Sequence, residues 1–189
     1  MSEIDIVLLG MLKKKPQSAY DLQKAVDYRN ISYWVKISNP SIYKNVRQLE
    51  LKGYIQGQSV KNGNMAEKKV FSVTEAGMQY LKNEMKVLSK KEIRLFQDMN
   101  AVILHLDIMD DDYKQECLSN IYSQILLLKS HMNEKMKERK DVLMPFSGRM
   151  IIEQQEELID VLEKWIEKYM ANMSIKQTLD NENNGGYER

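Results

Sequence analysis

The chain has 189 residues, 29% of them charged, with 8 glycines and 3 prolines, a balance that fits a globular, helix-rich protein with a real core in one or two domains. Its single cysteine, Cys117, excludes an internal disulfide and suits a reducing compartment. The net charge of +1 hides an asymmetry, for residues 1–82 hold 13 Lys and Arg against 7 Asp and Glu, whereas residues 83–189 hold 15 against 20.

Ile4, Val7, Leu8, Met11 and Leu12 are spaced for an amphipathic first helix, closed by Lys13–Lys15 and Pro16. The run Ile4–Leu12 is too short to span a bilayer, contains Asp5 and precedes its lysines, the reverse of a secretory signal. A cytoplasmic protein with no membrane partner is expected. Ser18 is the expected N-cap of a second helix, with Asp21 three residues on as an imperfect capping box and Leu22, Ala25 and Val26 facing inward. Tyr33, Trp34, Val35 and Ile37 are too apolar for a free loop and are expected to pack beside the next helix.

That third helix has both ends marked. Asn39 is the expected cap, Pro40 supplies a helix-ready φ, and Gly53 offers a left-handed stop. Ile42, Val46 and Leu49 form a buried stripe, which turns Tyr43, Lys44, Arg47 and Gln48 outward. Those side chains suit DNA: a ring that stacks or bonds phosphate, two cations, and an amide that reads a base edge. Leu51 falls about opposite the stripe, with no assigned role.

Helix, helix, turn, helix is the order of a helix-turn-helix module. After Gly53, the segments 54–60 and 69–73 read as two short strands joined through Lys61-Asn62-Gly63-Asn64, an Asn-Gly turn of the hairpin kind. Lys61, Lys68 and Lys69, opposed in sequence only by Glu67, make this hairpin a cationic wing beside the third helix. Lysines on an edge hairpin also serve simply to block aggregation.

Thr74 is the expected cap of a helix over Glu75–Leu88. Three further helical patterns follow. The first spans Ile93–Met109, with Leu95, Met99, Val102, Leu106 and Met109 as its stripe. The second starts after Asp110-Asp111-Asp112 and runs through Tyr113, Cys117, Ile121, Ile125, Leu128 and Met132. The last shows Ile151, Gln155, Leu158, Leu162, Trp165 and Tyr169, widened by Ile152, Ile159, Ile166 and Met170. Heptad-like stripes on charged helices suit coiled-coil-like packing, and so wide an apolar face calls for more than one neighbour. A homodimer is expected, with Ile151, Leu158, Leu162, Trp165 and Tyr169 as its contact set. Residues 174–189 lose the period and are expected to be disordered.

The opening Ile4–Leu12, Ser18-Ala19-Tyr20-Asp21-Leu22, Trp34, Ser41-Ile42-Tyr43, Leu49-Glu50 with Gly53-Tyr54-Ile55, and Phe71 through Thr74-Glu75-Ala76-Gly77 resemble PadR-type transcriptional regulators. The resemblance covers about residues 4–82, and the long C-terminal part, with Gly148-Arg149-Met150-Ile151, looks like that of the larger PadR subfamily. It implies a winged helix-turn-helix with a helical dimerisation region, in a dimeric repressor of the kind that often answers small aromatic or hydrophobic ligands. Ala19 and Lys44 depart from the glycine and proline usual in the family, and Lys44 adds a cation to the outward face.

The expected architecture is mainly α with a small β-hairpin: a winged helix-turn-helix over 1–88, a coiled-coil-like helical dimerisation domain over 89–173, and a tail. Ser41, Tyr43, Lys44, Arg47 and Gln48 are the third-helix candidates for double-stranded DNA. Ser18 and Tyr20 join them from the second helix, and Lys61, Asn64, Lys68 and Lys69 from the wing. Cys117, His105 and His131 stand on different segments without ligand spacing, and no Gly-rich phosphate loop occurs, so neither enzyme, metal nor cofactor is expected. His105, among apolar residues, is expected to be packed or at an interface. Trp34, Trp165 and the methionines are either plain core or the lining of a pocket for a small hydrophobic or phenolic effector. A winged-helix adaptor that binds protein rather than DNA is the alternative from another class.

Overall fold

The computed structural model describes residues 3–61, 67–95, 97–137 and 144–184, with side chains outside 135–137 and 173–184. The chain folds as two compact units, Met1–Arg94 and Leu95–Arg189.

In the first unit, α1 (Glu3–Lys14), α2 (Ala19–Tyr28), a 3-10 turn (Ile31–Tyr33) and α3 (Asn39–Leu51) precede β1 (Ile55–Val60), β2 (Lys68–Val73) and α4 (Glu75–Leu88). Local chemistry sets each boundary. Ser18 Oγ accepts the Asp21 amide at 3.2 Å while Asp21 Oδ2 accepts the Ser18 amide at 3.2 Å, so the capping box of α2 is complete. Asn30 ends the run after α2 in the left-handed region, with φ 51°.

α3 starts one residue earlier than expected. Ser38 is the N-cap and Asn39 already lies inside the helix, because the Ser41 hydroxyl turns back to accept the Ser38 amide (2.9 Å) and donate to the Ser38 carbonyl (2.6 Å). At the other end Gly53 has φ 72°, the Tyr54 amide reaches the Leu49 carbonyl and the Gly53 amide reaches that of Glu50, both at 2.9 Å. This is a Schellman stop, and only glycine holds that backbone without strain.

The motif Thr74-Glu75-Ala76-Gly77 locks onto the same corner. Thr74 Oγ1 accepts the Gly77 amide at 3.0 Å to cap α4, and donates to the Gly53 carbonyl at 2.8 Å. A Cβ at Gly77 would lie 1.9 Å from the Tyr54 carbonyl oxygen, so α4 approaches the corner only because residue 77 has no side chain.

β1 and β2 pair antiparallel from Ile55 opposite Val73 to Val60 opposite Lys68, and Gln17 adds a bridge to Phe71 on the other edge of β2. Their inward residues close the core with Leu8, Leu22, Ile42, Val46 and Leu49, all 3% exposed or less. Complete burial of a leucine or isoleucine there stabilises the unit by about 1.5–3 kcal/mol. Of the four residues expected to pack beside α3, Ile37 is buried and Val35 lies against the core, joined by Ile31, whereas Tyr33 is 54% exposed and Trp34 is only half-buried.

One charge enters this core. Asp5 of α1 is buried and accepts a hydrogen bond from the Tyr80 hydroxyl of α4 at 3.2 Å, while the Tyr80 ring stacks on Tyr54 at 4.2 Å. Burial pushes the Asp5 carboxyl above the ordinary range. Burial first, then the Asp5 carboxylate, pushes the Tyr80 phenol up to about 12.

The second unit contains α5 (Met99–Ile103), a 3-10 turn (Leu106–Ile108), α6 (Asp111–Lys137) and α7 (Phe146–Asn184). Asp110 caps α6 by accepting the Tyr113 amide at 2.8 Å. α6 and α7 pack antiparallel through Leu118 and Ile125 against Ile159 and Ile166. Lys129 bonds Glu163 and, at 2.9 Å, Asp160, and Tyr122 donates to Glu167 at 3.0 Å.

Four expectations change here. The helix expected over Ile93–Met109 is broken into α5 and a 3-10 turn, with 92–95 outside any helix. Of its stripe, Leu106 packs against the α6–α7 core while Leu95 is 73% exposed, and a helix without a packed face gains little. On α7 the buried line is Ile152, Ile159 and Ile166, offset from the heptad stripe that starts at Ile151. On α6 Leu118 takes the buried place expected of Cys117, which is half-buried. α7 continues as helix through Asn184, into the segment expected to be disordered from 174; residues 185–189 lie outside the described residues.

Candidate nucleic-acid interface

α3 presents one side to the core and the other to solvent. With Ile42, Val46 and Leu49 buried, Tyr43, Lys44, Arg47 and Gln48 are exposed, as the helical spacing predicts. Tyr43 is held, since its hydroxyl donates to Gln23 Oε1 on α2 at 2.8 Å. Gln23 thus joins the face without having been expected, because α2 was read only for its inner side. Lys24 joins it too, its ammonium 4.6 Å from the centroid of the exposed Tyr20 ring. An aromatic with a lysine four residues on was the available signal.

Two expected contacts are structural instead. Ser41 uses its hydroxyl in the cap of α3. Ser18 is buried and donates its hydroxyl to Asp21 Oδ2 at 2.7 Å while capping α2. Leu51 is 71% exposed and touches no core, the blemish the spacing showed.

The wing stem also differs from the expectation of free cations. Lys68 Nζ lies 3.3 Å from Asp21 Oδ2, and Lys69 Nζ lies 2.7 Å from Glu50 Oε1. Ser18 hydrogen bonds, and then Lys68, hold the Asp21 carboxyl below its usual value. In sequence the partners stand 47 and 19 residues away, so no local pattern showed them. Lys61 is exposed, and Asn64, with the rest of 62–66, lies outside the described residues.

The face therefore combines three exposed cations, Lys24, Lys44 and Arg47, with two exposed tyrosines and two amides. Such a set donates to phosphate oxygens and base edges. Among the described residues no group of His, Cys, Asp and Glu is placed to hold a metal ion, and no helix is long and apolar enough to cross a membrane. His105, expected to be packed or at an interface, is exposed in the single chain. A cleft of about 360 Å3 between α1 and α4 is lined by Ile6, Val87 and Leu88 with Glu3, Glu84, Lys90 and Lys91; neither tryptophan lines it.

Residues 8–83 match the model of the transcriptional regulator PadR-like family. This stretch of the first unit is a PadR-like domain. The fold extends the likeness beyond that domain. Bacillus subtilis PadR in complex with operator DNA is 18% identical with a TM-score of 0.76, over 92% of this chain and 98% of that one. The same protein in complex with p-coumaric acid gives 15% and 0.74, over 90% and 95%. The Vibrio cholerae virulence activator AphA gives 14% and 0.69, over 92% and 99%. No curated protein sequence matches the chain. At these identities the solved structures share the fold, a PadR winged helix followed by long C-terminal helices. The residues at the corner of α3, β1 and α4 now have a physical reason for their place in the PadR-like sequence pattern: Gly53 and Gly77 permit the turn and the close approach, and Thr74 joins them.

Proposed function

We propose that this PadR-like protein is a cytoplasmic, homodimeric repressor that binds a pseudo-palindromic operator in double-stranded DNA. The observation that carries it is the face of α3: Tyr43, Lys44, Arg47 and Gln48 all point outward from a helix capped at both ends. In this proposal α3 enters the major groove, Lys44 and Arg47 meet phosphate, and Gln48 reads a base edge. Tyr20, Lys24 and Lys61 flank the groove. Two copies joined through Ile151, Leu158, Leu162, Trp165 and Tyr169 of α7 place two such helices about one helical turn apart. Support for that contact set is that Leu158 and Tyr169 are 40% and 48% exposed on a helix whose other line is already buried.

Relief by a small hydrophobic or phenolic effector completes the proposal. It leans on the p-coumaric acid complex of the Bacillus subtilis relative. The sign of regulation leans on the family resemblance, while the Vibrio cholerae relative of the same fold is called an activator.

The test is fluorescence anisotropy on the duplex upstream of its own gene and on a scrambled duplex, at low and physiological salt. Tighter, salt-sensitive binding of one dimer to the upstream duplex is the expected result. The pairing of Lys68 and Lys69 with carboxylates favours the other reading, a winged helix that binds a protein partner. No binding to either duplex at low salt would select it.

A further inference from the structure

The Lys69–Glu50 pair has an unusual path. Lys69 stands on β2 opposite Ser59, and its ammonium crosses the hairpin to the Glu50 carboxylate on α3, with 2.7 and 2.8 Å to the two oxygens. On the way it passes 5.5 Å from the centroid of the Phe71 ring. What opens the path is Gly57 of β1. A Cβ there would lie 2.3 Å from Lys69 Cε and 2.8 Å from Glu50 Oε1. Gly57 does not have a positive φ, so its conformation does not explain the glycine. The missing side chain is the channel through which the lysine reaches its partner.

We propose that Glu50 is an internal competitor for the Lys69 ammonium, holding it against α3 in the free protein, so that DNA phosphate must displace the carboxylate for the wing stem to dock. The inference rests on the DNA-binding reading above. Glu50 follows Arg47 by three residues on the same helix, so the carboxylate stands beside the face that meets DNA and its charge also opposes phosphate there. Both partners are partly exposed, with side-chain exposures of 50% and 30%. An exposed pair of this kind is weak enough for a polyanion to break. The cost of breaking the pair thereby weakens binding to any sequence. Asp21 and Lys68 are a similar pair, but Asp21 also caps α2. Glu50 and Gly57 are the clean handles.

The experiment has two arms, one without DNA. In the free protein, acylation of Lys69 by an amine reagent, read by peptide mass spectrometry, is expected to speed up in Glu50→Gln and in Gly57→Ala. In the second arm, anisotropy on a random-sequence duplex across a salt series compares both variants with wild type. Glu50→Gln is expected to bind about threefold to fivefold tighter at low salt. Its log K against log salt should be steeper by about 0.9, because the docked stem then carries one more net positive charge against the phosphates. Gly57→Ala, which changes no charge, should also bind tighter, and Lys69→Gln should abolish the gain of Glu50→Gln. Unchanged acylation in both variants overturns the pair itself. Faster acylation with unchanged or weaker DNA binding overturns the competition and leaves a strut. Wild type that binds neither duplex at low salt, with faster acylation in the variants, overturns the DNA reading and the competition with it, while the pair stands.

Discussion

The two units solve the same problem to different degrees. The first buries Leu8, Leu22, Ile42, Leu49 and Ile55 almost completely, drawing on helices and sheet from every side. The second buries Leu118, Ile125, Ile159 and Ile166 between two helices and leaves Leu95, Leu104 and Ile108 more than 70% exposed. A scattered exposed leucine is ordinary, and in the proposal above the exposed apolar residues of α7 are what a second copy would cover. The first unit is closed by its own residues. The second is a half-core, and the proposed dimer is what would complete it.

Breaking a closed core should be costly at any protein concentration. Leu22→Ala is expected to cost about 2–5 kcal/mol, because Leu22 is fully buried and its neighbours relax only in part. Denaturant melts at two concentrations a hundredfold apart should shift by the same amount; a concentration-dependent shift would tie this core to assembly.

The half-core should behave in the opposite way. Leu158→Asp lies 40% exposed in the single chain, so it should leave the helical signal intact and weaken self-association instead. An unpaired carboxylate buried at the contact costs about 3 kcal/mol, roughly a hundredfold in dimer Kd. Sedimentation velocity reads this directly, and an unchanged distribution would move the contact to another face of α7.

Within the closed unit, the exposed face of α3 can be sharpened next. Gln48→Ala is expected to lose about 1–3 kcal/mol of discrimination at one operator position. Lys44→Ala should weaken specific and random duplexes alike and reduce the salt slope by about 0.9. Equal losses on both duplexes for Gln48→Ala would remove its base-reading role.

The smallest effect is the one charge in the closed core. Burial raises the Asp5 carboxyl, so the fold prefers its neutral form. Its contribution to stability is therefore full below the ordinary Asp range, about 4, and is lost as the pH rises through the raised value. Asp5→Asn keeps an acceptor for the Tyr80 hydroxyl and should raise the melting temperature slightly at neutral pH, with no advantage at pH 3. A gain that persists in acid would assign the effect to something other than the charge.

How much of this was legible depended on range. The stripe of α3, its glycine stop, the Ser18–Asp21 box, the Thr74 cap and the extent of α4 follow from residues within a turn of each other, and the chain alone showed them. The Ser38 cap was missed by one residue, since two adjacent polar residues compete for the place and the Ser41 hydroxyl decides it. The outward set of α3 was legible because a buried stripe fixes the opposite side of a helix. The wing was not, because whether a lysine is free depends on what the fold brings to it.

The sequence by itself determined the winged helix-turn-helix, its PadR-like pattern and the orientation of Tyr43, Lys44, Arg47 and Gln48, because helical periodicity and caps are local properties of the chain. Only the tertiary structure decided that Ser41 turns back to the start of α3, that Asp21 and Glu50 take the wing lysines, and that Ile159 and Ile166 of α7 face α6. Each of those depends on a partner set by packing rather than by sequence distance.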